Sequence, residues 1–156
     1  MPEAGVLELV VAQWRALRAG TSTSALRWLE LALLELTGHA PALDRCLACG
    51  TGALAGALFD PDRGGVVCGG CAARARGGAP RPFGEASRAF LVAVTAAADL
   101  EEARALDADP RFTAADRGAA RDAVVAMLVA LIGHPLRSLE YLAKLGAASR
   151  RARPAT

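Results

Sequence analysis

All four cysteines of the 156-residue chain stand in two Cys-x-x-Cys pairs, Cys46/Cys49 and Cys68/Cys71. Eighteen residues separate the pairs (68 − 49 − 1). That spacing is characteristic of zinc sites: two thiolates three positions apart grip one ion from a tight turn, and two such turns complete a tetrahedron of sulfur. Four sulfur ligands leave no position for water or substrate, so the pattern predicts a structural Zn²⁺ rather than a catalytic one. Two disulfides would instead require an oxidising compartment, to which nothing in the sequence points. A redox Cys-x-x-Cys would require a thioredoxin-like βαβ pattern, which the sequence lacks. A zinc hydrolase would need an open metal position, and a deaminase a His-x-Glu, which neither His39 nor His134 begins. His39, seven residues before Cys46, is a spare ligand at most; just after Gly38 it reads as a surface or capping residue.

The thiol turns need glycine and a return path. Cys49 runs into Gly50, and Gly69 and Gly70 lie inside the second pair. Glycine tolerates positive φ and lets N–H groups approach sulfur. Leu54 to Phe59, the turn Asp60 to Gly65, and Val66-Val67 read as strand, turn, strand, a hairpin that carries the second pair back to the first.

The remainder reads as helix. Leu7, Val10, Val11, Trp14 and Leu17 recur at helical spacing, and Trp14, Trp28 and Phe90 fall on core-like faces. Thr21 to Ser24 offers N-caps for a helix whose Leu26, Leu29, Leu33 and Leu36 form a core stripe, with Arg27, Glu30 and Glu35 off it, ending at Gly38. A loop, Arg74 to Gly84, leads to a helix over Glu85 to Ala98, with Phe90, Leu91 and Val94 on one face. A short acidic helix, Asp99 to Leu106, breaks at Asp109-Pro110. Thr113, with Asp116 three residues on, opens the longest helix, which is apolar nearly all round toward Ile132 and is expected at the buried centre. Gly133-His134-Pro135 ends it, and Ser138 can cap a last helix, Leu139 to Leu145. The expected fold class is mainly α, a small helical bundle with an inserted four-cysteine zinc hairpin. The expected organisation is one domain over residues 1–150, the zinc insertion at about 43–73, and a frayed basic tail over 147–156.

Eighteen bases against sixteen acids leave a charge of +2, which four thiolates around one Zn²⁺ would cancel. The overall balance therefore argues for no nucleic-acid partner; the distribution says more. Residues 84–136 hold eight acids and five bases, whereas 137–156 hold five bases and one acid. The acidic run Asp99, Glu101, Glu102, Asp107 and Asp109 reads as a solvated face. No basic n-region follows Met1, and the longest apolar stretch, Ala123 to Ile132, is too short to span a bilayer, so a cytoplasmic chain without membrane contact is expected. There is no Gly-rich phosphate loop and no Ser/His/Asp constellation, so no enzymatic activity is expected.

Three stretches carry a resemblance to a known family: LELALLELTGHAPALDRCLACG (Leu29 to Gly50), FDPDRGGVVCGGC (Phe59 to Cys71) and LIGHPLRSLEYL (Leu131 to Leu142). Their order, an amphipathic helix, the two cysteine pairs, a helix pair and Gly-x-x-Leu-x-Ser, resembles the C-terminal portion of the bacterial DNA repair protein RecO family. The similarity covers most of the chain. It implies a recombinational repair role without catalysis: helping RecR and RecA to act on single-stranded DNA coated by single-strand-binding protein, in a cytoplasmic, nucleoid-associated setting. The family begins with an oligonucleotide-binding β-barrel, of which nothing is read here, so a truncated form is expected. The metal ligands implied are Cys46, Cys49, Cys68 and Cys71. Weak contact with single-stranded DNA would fall to Arg74, Arg76, Arg81, Arg150, Arg151 and Arg153, through guanidinium–phosphate forks. The resemblance also implies a groove for the tail of single-strand-binding protein, with Arg117, Arg121 or Arg137 at its rim. The alternative is a zinc-stabilised protein-interaction module that touches no nucleic acid.

Overall fold

A computed structural model of the chain describes residues 5–11, 14, 22–74 and 80–134. Residues 5–11 are helical and are followed, in the described chain, by α1 (Thr23–Leu36). The extended Ser22 caps α1, its hydroxyl accepting the N–H of Ala25 at 3.0 Å. Gly38, at φ 75, turns the chain out of the helix. A small antiparallel sheet follows: β1 (Leu58–Asp60), β2 (Gly65–Val67) and, after the short helix α2 (Gly69–Ala72), β3 (Arg81–Pro82), in the order β2-β1-β3. Then come α3 (Glu85–Ala96), α4 (Leu100–Ala105) with a 3₁₀ turn over Leu106–Ala108, and α5 (Ala114–Ile132). The chain is thus mainly helical, with the cysteine hairpin inserted between helices.

Local chemistry sets the boundaries. Asp99 caps α4 by accepting the N–H of Glu102 at 2.9 Å. Thr113 and Asp116 form a reciprocal capping box at the start of α5, and Gly133 ends it in the left-handed conformation at φ 78. The acids expected as a solvated face are exposed, apart from the half-buried Asp109, and some hold structure as well: Asp107 accepts both the N–H (3.0 Å) and the hydroxyl (2.7 Å) of Ser24, tying the 3₁₀ turn to α1.

One core joins helices and hairpin. Leu31 and Leu34 from α1, Phe90, Leu91 and Val94 from α3, and Ala120, Ala123, Val124 and Met127 from α5 pack with Phe59, Val66 and Phe83 around the sheet. Phe59 meets Phe83 at 5.4 Å and Phe90 meets Phe112 edge-on at 5.3 Å, favourable offset geometries. Trp28 packs against this core and donates its indole N–H to the carbonyl of Ala97 at 3.0 Å.

Several expectations fail here. The buried face of α1 is Ser24, Arg27, Leu31 and Leu34, not the Leu26/Leu29/Leu33/Leu36 stripe; Leu26 and Leu36 are exposed. Its leucines allow two overlapping stripes at helical spacing, and the neighbours, α3, α4 and α5, select the one that carries an arginine. Trp14 is 72 % exposed, and Leu7, Val10 and Val11 are exposed with it, so that stripe faces no core among the described residues. Only one side of α5 is buried; Leu131 and Ile132 at its end are exposed, because the sheet and the other helices cover a single face. The first hairpin strand is three residues long rather than six, and the 74–84 loop contains the edge strand β3. The last expected helix, Leu139 to Leu145, lies outside the described residues, as does Leu17.

Candidate metal centre

Each cysteine pair is shaped by its own short stretch of backbone. Cys46 opens a turn closed by Gly50 N–H to Cys46 C=O at 2.8 Å, and Gly50 adopts φ 73, a conformation that favours glycine. The return N–H of Cys46 reaches the carbonyl of Thr51 at 2.9 Å. Cys68 lies at the N-cap of α2, and the N–H groups of Cys71 and Ala72 both turn back to its carbonyl. The register Leu58↔Val67, Phe59↔Val66 and Asp60↔Gly65 then folds the second turn onto the first.

The four sulfurs converge. All lie within 4.8 Å of one another, and Cys49 Sγ is 3.9 Å from Cys68 Sγ. A tetrahedron with metal–sulfur bonds of about 2.3 Å has sulfurs about 3.8 Å apart, so the cage is close to the size a Zn²⁺ ion needs. The four thiols are not joined as disulfides. Cys46 is 1 % exposed, Cys68 and Cys71 half-buried, and Cys49 exposed. Cys46 Sγ accepts the N–H of Cys68 at 3.3 Å and of Ala48 at 3.4 Å, the arrangement that stabilises a thiolate in a metal turn.

The electrostatics show the same need for a cation. Burial opposes ionisation of Cys46, but the N–H groups of Cys68, Ala48 and Cys49 outweigh it and bring its thiol down to about 6. Cys71 is pushed the other way, to about 12, chiefly by the Cys68 and Cys49 sulfurs beside it, with Arg74 pulling weakly against them. Four sulfurs this close cannot all carry charge unless a positive ion sits among them. His39 does not join the cluster, which among the described residues is the sole group of donors able to hold a metal.

The cage sits in a chain that resembles known proteins along nearly all its length. The family model described as "Recombination protein O C terminal" matches residues 2–140. The chain belongs to the RecO family. A DNA repair protein RecO from Anaeromyxobacter sp. (strain Fw109-5) is 34% identical over 149 residues, covering 93% of this chain and 55% of the relative. The RecO of Anaeromyxobacter dehalogenans (strain 2CP-C) is also 34% identical, over 150 residues and the same shares. That of Desulforudis audaxviator (strain MP104C) is 38% identical over 69 residues, 44% of this chain and 28% of its own. The chain thus spans about half the length of the Anaeromyxobacter relatives. No solved structure matches it significantly.

Not every arginine expected at a RecO surface is free to act there. Arg117 donates through Nη2 to the carbonyls of Leu106 and Asp109, both at 3.0 Å, and so clamps the 3₁₀ turn onto α5 rather than rimming a groove. Arg121 is exposed and paired with its neighbour Asp122 at 2.8 Å. Arg74 stands at the end of the second cysteine turn beside Cys71. Arg81, on β3, is exposed and borders two cavities, of about 310 and 370 Å³, that run along α5. Arg76, Arg137, Arg150, Arg151 and Arg153 lie outside the described residues. The sequence reading missed the burial of Arg27. Its guanidinium is 3 % exposed and pairs with Glu30, Nη2 to Oε1 at 2.8 Å. The i, i+3 spacing of the two was the available signal. Among the described residues no helix is long and apolar enough to cross a membrane.

Proposed function

We propose that the chain works as a non-enzymatic recombinational repair protein of the RecO type. It helps RecR and RecA to act on single-stranded DNA coated by single-strand-binding protein, with a structural Zn²⁺ held by Cys46, Cys49, Cys68 and Cys71. The observation that carries this reading is the match to the family's C-terminal region over residues 2–140. The sulfur cage supports the metal: its donors are all soft thiolates and its size suits a closed tetrahedral site. Bound there, Zn²⁺ supplies cross-linking rather than catalysis. This chain's own part is to aim N–H groups at Cys46 and to hold the two turns in register.

Capture of an acidic, apolar-anchored tail calls for aliphatic walls and a cation. Arg81 stands over such walls, Val125 and Val129 on α5, with Asp62 and Asp122 also on the rim, while Arg63 stands over Met127 and Leu131 in a neighbouring cavity. A fluorescent peptide of the single-strand-binding-protein tail, titrated against the full chain, should saturate with a Kd in the micromolar range, about −8 kcal/mol. Arg81→Glu should weaken it at least about tenfold, and Arg117→Ala should not, beyond its effect on folding. Absence of saturation at about 100 μM protein would overturn this docking site.

One observation favours the alternative, a protein-interaction module without nucleic-acid contact. The aromatic rings nearest Arg81, Phe59 and Phe83, are buried and offer no platform on which bases could stack. If DNA binds at all, contact limited to phosphates predicts a log–log salt slope of about −0.7 per phosphate neutralised. Undetectable binding of an oligonucleotide at low salt would favour the alternative.

A further inference from the structure

The RecO reading makes no use of an apolar groove at the seam between α1 and α3. It encloses about 350 Å³ between Leu31 and Glu35 of α1, Val92 and Ala96 of α3, and the connecting segment at Leu43 and Asp44. Among the described residues no Arg, Lys or His lines it; its charged rim is Glu35 and Asp44, the latter exposed and paired with its neighbour Arg45 at 2.8 Å. Val92 on its wall is 42 % exposed, a β-branched aliphatic residue in water on a helix that otherwise buries Phe90, Leu91 and Val94. The groove is aliphatic with an acidic rim, whereas the Arg81 cavities set Arg81 beside Asp122 and, in one of them, Asp62.

We propose that this groove seats the chain's own C-terminal segment, residues 139–145, with the arginines on either side of that segment against Glu35 and Asp44. The described structure stops at His134, and 22 residues follow (156 − 134). Their charge is +4, from Arg137, Lys144, Arg150, Arg151 and Arg153 against Glu140. At 100° per residue, Leu139, Tyr141, Leu142, Ala143 and Leu145 share one broad face of a helix, and Glu140 and Lys144 pair on the other, i to i+4. The bases left for a partner are then Arg137 before the apolar stretch and Arg150, Arg151 and Arg153 after it. The sequence is therefore an aliphatic anchor between basic flanks, the complement of an aliphatic groove with an acidic rim.

The point of departure is favourable. Gly133 leaves α5 in the left-handed conformation, which reverses the chain. The last turn of α5, Ala130 and Leu131, faces Gly38, His39 and Ala40 across a cavity of about 330 Å³, and Ala40 is also a wall of the groove. Four residues separate His134 from Leu139 (139 − 134 − 1) and reach about 14 Å when extended, enough to cross one such cavity. Tethering supplies an effective concentration in the millimolar range, so a shallow groove is sufficient. The competing seat, the exposed side of α5 near Val129, carries Arg81 together with Asp62 and Asp122, so charge alone does not exclude it and the experiment must separate the two.

Hydrogen exchange read by mass spectrometry on the full chain tests the proposal. At low ionic strength the amides of 139–145 should exchange at least about tenfold more slowly than unstructured chain. Val92→Glu, which puts a charge on the aliphatic wall, should abolish that protection, and Val129→Glu on α5 should leave it intact. Glu35→Lys should reduce it severalfold at low salt and by less at about 0.5 M, where screening is short-ranged. Unprotected amides in the unaltered chain, or protection indifferent to Val92→Glu, would overturn the proposal. So would release by Val129→Glu, which would place the segment on α5. Protection that grows with protein concentration would place it in a second copy and overturn the intramolecular seat. The readout is independent of metal content and of repair partners, so its failure is distinct from failure of the RecO reading.

Discussion

The sulfur cage and the Arg27–Glu30 pair both gather ionisable groups where water is scarce, and they resolve the cost differently. Cys46 and Arg27 are almost equally hidden, at 1 % and 3 % exposed. The pair carries its own counter-charge within one turn of α1, and Arg121 and Asp122 on α5 add a repulsion and an attraction to Arg27. The cage holds four groups of one sign and, among the described residues, no cation other than the weakly acting Arg74. One region is therefore complete when the chain folds; the other could be completed by an ion from solution. Burying like charges makes a fold answer to metal, whereas burying opposite charges makes it answer to pH.

The largest expected effect lies in the cage. Structural zinc contributes on the order of 10 kcal/mol of binding free energy, less in net stability where the protein part holds the turns together. Cys46→Ser or Cys71→Ser should abolish stoichiometric zinc in elemental analysis and lower Tm by about 10 °C or more, at about 2–4 °C per kcal/mol for a chain of this size. A chelator should do the same to the unaltered protein. Unchanged Tm with chelator would remove the contrast between the two regions.

The next effect breaks the pair. Arg27→Met leaves the Glu30 carboxylate half-stranded and should cost about 3–5 kcal/mol in urea unfolding, whereas Arg27→Met with Glu30→Leu should recover most of the loss. A double variant no better than the single one would show that the pair is held by packing rather than by charge. Nε of Arg27 finds no hydrogen-bond partner, which adds to what the double variant should relieve.

The smallest effect is titration. Burial lifts the Glu30 carboxyl to about 7, against the attraction of Arg27. A carboxyl whose folded value is raised binds its proton more tightly in the native state. Its contribution is therefore complete below about 4.5 and is lost as pH rises through about 7, by at most about 3 kcal/mol. Stability measured between pH 4.5 and 7.5 should fall with rising pH in this component, and Glu30→Gln should flatten it. An identical slope in the variant would place the titration elsewhere.

What was legible in the sequence is what local chemistry decides. Ser22, Asp99, the Thr113–Asp116 box, Gly38 and Gly133 mark helix ends because each satisfies or redirects backbone groups within a few residues. The metal cage was legible for the same reason, since two turns and a hairpin bring the sulfurs together without distant parts of the chain. What failed depends on neighbours across the fold. Two leucine stripes compete on α1, and only its packing partners α3, α4 and α5 decide between them. β3 was missed because Arg81-Pro82 has no alternation to read, and proline at an edge resembles a loop. The exposed side of α5 was hidden by its uniformity: ten apolar residues in a row name no face.

Val66 uses both of its backbone groups to hold one short loop. Its N–H bonds the carbonyl of Ala42 at 2.9 Å, and its carbonyl accepts the N–H of Leu47 at 2.9 Å. The four residues between those rungs carry Leu43 and Asp44 to the groove and Cys46 to the cage. A Cβ on neighbouring Gly65 would lie 2.5 Å from the Ala42 carbonyl, so the rail beside this loop has no slack either. The loop therefore has a fixed length. Substitutions within it change what it presents, but an insertion or deletion must sacrifice a rung and misplace groove wall and metal ligand in the same event. Among natural variants of this region, length changes should be purged from 43–46 even where side chains vary freely.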